Sequence, residues 1–146
     1  MLNNDFREFI ESLNSNDVRY LVLGGYAIAF HGHPRYTKDL DIWLELSEEN
    51  AERVLQALRD FGFGEMDLTK EDFLQFGQVV QLGYPPNRID LINSPDGVDF
   101  AECYAARIEI EITELKISVI DLENLKKNKK ASGRLQDLAD LEKLGN

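Results

Sequence analysis

The sequence predicts an α/β (α+β) fold in which a mixed β-sheet is flanked by helices. Three observations point there. Short runs rich in β-branched and aromatic residues recur at 18–23, 39–46, 78–82, 88–92, 107–112 and 115–120. Stretches with apolar residues at helical spacing lie between and after them, giving the order α-β-α-β-α-β-β-(α)-β-β-α-α. A chain of 146 residues that is 43% apolar suits one domain with its own core. The expected division is a nucleus over about residues 1–95 and an accessory hairpin with two helices over about 99–146.

Each element has its own warrant. Phe6, Phe9, Ile10 and Leu13 repeat at helical spacing and predict an amphipathic first helix over 4–13. The run 18–23 reads as a buried strand stopped by Gly24-Gly25, and helical character resumes over 26–31 through Ala27, Ile28 and Ala29. His33-Pro34 breaks it, and 39–46 forms the next strand. Ser47, with Glu49 and Asn50, opens a helix to about residue 60, closed by Phe61-Gly62-Phe63-Gly64. Residues 71–76 are ambiguous. The runs 78–82 and 88–92 make a hairpin across 83–87, and 93–97 carry a turn signal. A short helix over 100–106 precedes the strand pair 107–112 and 115–120. Asp121 caps a helix through Lys130, and Leu135, Leu138, Leu141 and Leu144 stripe the last one.

Composition narrows the function classes. Cys103 is the only cysteine, so an intramolecular disulfide and a multi-cysteine zinc site are excluded. Residues 1–18 are polar and charged, unlike a secretory signal, and no apolar run approaches the roughly 20 residues of a membrane span. A cytoplasmic protein without a membrane partner is the expectation. Sixteen lysines and arginines against 27 acids leave a net charge of −11, which disfavours long nucleic acid. The cations cluster at His31, His33, Arg35 and Lys38, and again at Lys126, Lys127, Lys129, Lys130 and Arg134. An acidic body with two basic segments fits a small polyanion such as a nucleoside triphosphate; solvated charge on a helix explains the lysine run equally well.

Three carboxylates carry the strongest chemical signal. Asp39 and Asp41 stand two apart in Thr37-Lys38-Asp39-Leu40-Asp41-Ile42-Trp43, and Asp90 sits in Arg88-Ile89-Asp90-Leu91-Ile92. Strand side chains repeat their direction every second residue, so Asp39 and Asp41 share a face while Leu40 and Ile42 pack on the other. Adjacent anions on a half-buried surface repel and lose hydration, a penalty that a divalent cation such as Mg²⁺ removes.

The ordered set resembles the nucleotidyltransferase superfamily with the polymerase-beta-like fold. Its pattern is an apolar strand, Gly-Gly or Gly-Ser, about a dozen residues, Asp-x-Asp between apolar residues, and a third acid on a later strand. Here thirteen residues, 26–38, separate Gly25 from Asp39. The stretch Gly24 to Ile42 is similar to the small prokaryotic branch that includes AbiEii-type toxin relatives and aminoglycoside and lincosamide nucleotidyltransferases. Lys129-Lys130-Ala131-Ser132-Gly133-Arg134-Leu135-Gln136-Asp137 is similar to a Lys-x-x-x-Gly-Arg-x-x-Asp segment found there. Gly25 replaces the serine of the Gly-Ser form, so backbone N–H groups must supply the phosphate contact a hydroxyl would make.

The resemblance implies roles. Gly24 and Gly25 bring backbone N–H groups against phosphate. Asp39 and Asp41 hold Mg²⁺ (or Mn²⁺); Asp90 completes the metal site or takes the acceptor proton, its ordinary alternative being an ion pair with Arg88. Arg35 neutralises the leaving pyrophosphate, Thr37 orients an aspartate, and Lys129 and Arg134 reach the triphosphate. His31 and His33 read as structural, Trp43 as core, and Tyr84 as a candidate base-stacking residue. The implied activity is transfer of a nucleoside monophosphate from a nucleoside triphosphate to a hydroxyl of a small molecule, an RNA 3′ end (transfer RNA included) or a protein. So small a domain also suggests a homodimer or protein partner. The rivals are a non-catalytic nucleotide-binding or toxin–antitoxin module and a metal-dependent nuclease.

Overall fold

A computed structural model describes residues 2–33, 37–63, 67–84 and 87–145. Arg35, and the expected turn residues Pro34, Gly64, Pro85 and Pro86, lie outside the described residues. The first helix, α1 (Asn4–Ser15), starts where the Asn3 side chain accepts from Phe6 N at 2.8 Å, and Phe6, Phe9, Ile10 and Leu13 are buried. Strand β1 (Tyr20–Leu23) is buried throughout and runs straight into α2 (Gly24–Phe30). Strand β2 (Leu40–Leu44) is shorter than expected, with Asp39 standing just before the ladder and Glu45 and Leu46 just beyond it. Helix α3 (Glu48–Leu58) is capped by Ser47 and continues into a π-helical turn, Arg59–Phe63, that ends past Gly62 at φ 107°. Buried Asn50 in α3 is satisfied by Arg19 N, Arg19 O and Glu45 O, and so ties α3 to the approaches of β1 and β2.

The ambiguous stretch is a single helical turn, α4 (Glu71–Leu74). Strands β3 (Val79–Leu82) and β4 (Ile89–Ile92) form the expected antiparallel hairpin. After α5 (Phe100–Ala105), β5 (Ile108–Ile112) and β6 (Leu115–Val119) pair across Thr113 and Glu114, both at positive φ. That backbone suits a two-residue hairpin even without the usual Asn-Gly signature. Helices α6 (Leu122–Ser132) and α7 (Leu135–Leu144) finish the fold.

The strands join one six-stranded mixed sheet in the order β3-β4-β2-β1-β6-β5. Strand β2 runs antiparallel to β1 and parallel to β4, and β6 runs parallel to β1. The C-terminal hairpin therefore continues the same sheet rather than forming one of its own.

The last helix corrects an expectation. Asp137, Asp140, Leu141 and Leu144 are buried, whereas Leu135 and Leu138 are exposed. A strict spacing of three falls about 60° short of a full turn at each step, so residues nine apart face roughly opposite sides of the helix. Such a stripe cannot be one face.

Candidate active site

Pairing register builds the site. Leu23 of β1 lies opposite Asp41 of β2, and Asp41 lies opposite Asp90 of β4, so three adjacent strands align Leu23, Asp41 and Asp90 in one row, and Gly24 follows at the end of β1 against the Asp41 side chain. Asp39, two residues before Asp41, precedes the strand on the same face, while Leu40 and Ile42 are fully buried on the other. At Gly24 the chain turns with φ 62°, and a Cβ there would overlap Asp41 Oδ2. Only glycine permits both the dihedral and the approach.

The three carboxylates stand in different electrostatic settings. Arg88 donates from Nε to Asp90 Oδ1 at 3.0 Å and from Nη2 to Asp90 Oδ2 at 3.1 Å. The same Nη2 reaches Asp39 Oδ2 at 2.8 Å. These bonds, with the nearby negative charge, push the Arg88 guanidinium above its ordinary pKa. Asp39 Oδ1 is buried without a hydrogen-bond partner. Burial, then the charges of Asp90 and Asp39, push the Asp41 carboxyl up to about 6; Lys129 and Arg134 pull the other way.

A cavity of about 550 Å³ opens beside Asp41, lined among others by Gly24, Gly25, Asp96, Lys129 and Arg134. Its far wall is the junction of α6 and α7. Lys129, buried, places Nζ 3.0 Å from Asp137 Oδ1 and 3.0 Å from Asp140 Oδ2. Arg134 is mostly exposed and anchored by Nε to Asp137 Oδ2 at 2.8 Å. Burial would raise the Asp137 carboxyl, but bonds from Arg134 and Lys129 hold it below the usual carboxylate range. The loop after β4 forms the near wall: Asn128 donates to Asp96 O at 2.9 Å, and Gly97, at φ 77°, lets the loop touch Ala131.

Residues 5–91, more than half of the chain and inclusive of the glycine turn and all three acids, match the model of the aminoglycoside-2''-adenylyltransferase family. The chain belongs to that family. A solved structure assigned as a nucleotidyltransferase, from Thermotoga maritima, is 20% identical over 94% of this chain and 88% of that one, with a TM-score of 0.63. An antigenic nucleotidyltransferase-like protein from Paracoccidioides brasiliensis is 17% identical over 98% of this chain and 75% of that one, with a TM-score of 0.57. At such identities the two likenesses speak for the fold alone, which is that of nucleotidyltransferases. No curated protein matches the chain.

For a member of the aminoglycoside-2''-adenylyltransferase family, a divalent ion at the acids is the natural question. The donors suit one: three carboxylates on one face, an Asp39 oxygen with no partner, and a glycine that leaves room at Asp41. As the side chains stand, the Arg88 guanidinium lies between Asp39 and Asp90. Among the described residues, no group of three or more His, Cys, Asp or Glu is arranged to hold a metal.

Other sequence expectations resolve individually. Thr37 Oγ1 reaches the Asp39 carbonyl at 3.4 Å, not an aspartate carboxylate. His31 Nε2 meets Ile120 O at 2.8 Å, a structural role. Trp43 is core, edge-on to Phe100 at 5.1 Å, and Tyr84 is exposed. Lys129 lines the cavity, yet its ammonium is committed to two buried acids. Sequence reasoning passed over Asp137 and Asp140, although Asp137 closes the quoted Lys129-to-Asp137 segment and Asp140 follows one helical step later. It gave Arg88 an ion pair with Asp90, which forms, but not the second one with Asp39.

Proposed function

We propose that this chain is a divalent-metal-dependent nucleotidyltransferase that moves a nucleoside monophosphate from a nucleoside triphosphate to a hydroxyl, releasing pyrophosphate. The observation that carries the reading is the pairing of Asp41 with Asp90 across β2 and β4, with Gly24 against Asp41, Asp39 beside them and a cavity in front whose lining includes Arg134 and Lys129. Asp39, Asp41 and Asp90 would hold Mg²⁺ or Mn²⁺. Bound there, the ion supplies charge neutralisation on the triphosphate and a lowered pKa at the acceptor hydroxyl. Gly24 and Gly25 admit phosphate oxygens to backbone N–H groups, and Arg134, steadied by Asp137, offers its guanidinium to the triphosphate. Lys129 serves by fixing Asp137, the anchor of Arg134. Asp90 completes the acid set or receives the acceptor's proton. The acceptor oxygen bonds to the α-phosphorus as the bond to the pyrophosphate oxygen breaks.

The family's name speaks of an aminoglycoside acceptor. A chain of net charge −11 favours a cationic amino sugar over long nucleic acid. An RNA 3′ end, transfer RNA included, and a protein hydroxyl remain acceptors to test, as do a second copy or another protein completing the open cavity. No described helix is long and apolar enough to cross a membrane, and a cytoplasmic setting fits a triphosphate substrate. A second reading, a non-catalytic nucleotide-binding or toxin–antitoxin module, draws on the Arg88 clamp over two of the acids. Transfer of α-³²P label from each of the four triphosphates, with Mg²⁺ or Mn²⁺, into amino sugars, RNA and protein separates the two. The expected result is labelled product that disappears in Asp39→Ala plus Asp41→Ala; label transfer surviving that double change overturns the proposal.

A further inference from the structure

Arg88 stands where the proposed ion would have to act. Its planar fork takes both oxygens of Asp90, at 3.0 and 3.1 Å, and one of Asp39, at 2.8 Å, tying the start of β4 to the approach of β2. An ordinary strand-end ion pair would engage Asp90 alone; this one also reaches an acid 49 positions from Arg88 in sequence. A magnesium-sized ion binds oxygen at about 2.0–2.1 Å and wants near-octahedral surroundings. With one guanidinium already on three of the oxygens, a dication would meet occupied lone pairs and a neighbouring positive charge. Of the two Asp39 oxygens, the one Arg88 does not touch is the buried Oδ1 that has no partner. Arg88 also has an exit, since its side chain keeps contact with solvent.

We infer that Arg88 is a resident counter-cation: it holds Asp39 and Asp90 in place when no divalent ion is bound and leaves Asp39 when one binds, so that it sets the metal affinity of the site. The inference rests on the metal-dependent reading above and adds a positioning residue to it. Arg88 keeps the acids preorganised without letting them repel, and every binding event must displace it. A site gated in this way stays unloaded at low metal and loads when a triphosphate brings its ion along.

Calorimetric titration of Mn²⁺ into wild type, Arg88→Gln and Arg88→Lys, with Asp39→Asn as the site control, tests it. Losing a competing charge-assisted bond should tighten Mn²⁺ binding about tenfold in Arg88→Gln. Arg88→Lys, a point charge without the fork, should fall between. The metal-free melting temperature should drop in Arg88→Gln and recover with Mn²⁺. Unchanged or weaker Mn²⁺ binding in Arg88→Gln would make Arg88 a structural strap and overturn the inference. Should Arg88→Gln not fold, Arg88→Lys decides by the same criterion. Absence of Mn²⁺ binding in wild type and both variants removes the metal reading and the gate with it. Failed nucleotide transfer with the affinity order intact removes only the activity.

Discussion

Two clusters in this protein share one plan, a cation gripped by two carboxylates, and differ in depth. Lys129 sits between Asp137 and Asp140 with side-chain exposures of 7%, 2% and 0%. Arg88 sits between Asp39 and Asp90 with exposures of 28%, 30% and 12%. The first is sealed and joins α6 to α7. The second is half open and has a third acid, Asp41, beside it that Arg88 leaves unpaired. A buried pair cannot lose a partner without stranding charge in the interior, whereas a half-open one can trade its cation for another. Depth thus separates an anchor from a site.

The comparison breaks most visibly through activity. Replacing Asp39 and Asp41 together by alanine should lower nucleotide transfer by on the order of 10⁴-fold, while circular dichroism shows an intact fold. Next comes the anchor: Lys129→Met should destabilise the protein by about 3–5 kcal/mol in denaturant unfolding, because Asp137 and Asp140 lose their common partner. Should Lys129→Met cost no more stability than Arg88→Gln, burial would not be what distinguishes the clusters.

Asp41 sharpens the contrast through pH. Its folded pKa of about 6 lies above the ordinary value of 3.8, so the folded state binds the proton more tightly than the unfolded chain. The charged carboxylate is therefore a cost, absent below about pH 3, growing as pH rises to about 6, and complete above it. Asp41→Asn should match wild type near pH 3 and exceed its stability by about 2–3 kcal/mol at pH 7–8. Equal stability across that range would show that Asp41 is not under the strain its neighbours imply. The smallest effect belongs to Gly24→Ala, expected to cost about 1–2 kcal/mol through positive φ and the overlap with Asp41, with weaker triphosphate binding read by calorimetry.

Much of the fold was legible because its signals are local. The buried stripe Phe6-Phe9-Ile10-Leu13, the caps Ser47 and Asp121, and the β-branched runs of β1, β4 and β6 each encode their element within a few residues. The short α4 was not, since four residues hold too little periodicity. The leucines of α7 misled because a spacing of three rotates around the helix, and the buried face includes two aspartates instead. At the site, alternation placed Asp39 and Asp41 together, but the row with Asp90 depends on the β2–β4 register, which no local pattern contains. Arg88's grip on Asp39 and Lys129's burial between two acids are products of tertiary packing in the same way.

The most direct test is anomalous diffraction from crystals grown with Mn²⁺ and a non-hydrolysable nucleoside triphosphate. The expected map has a manganese peak bounded by Asp39, Asp41 and Asp90, phosphates over Gly24 and Gly25, and Arg88 withdrawn from Asp39. A triphosphate bound elsewhere, or manganese absent from these acids with Arg88 still bridging Asp39 and Asp90, would contradict it.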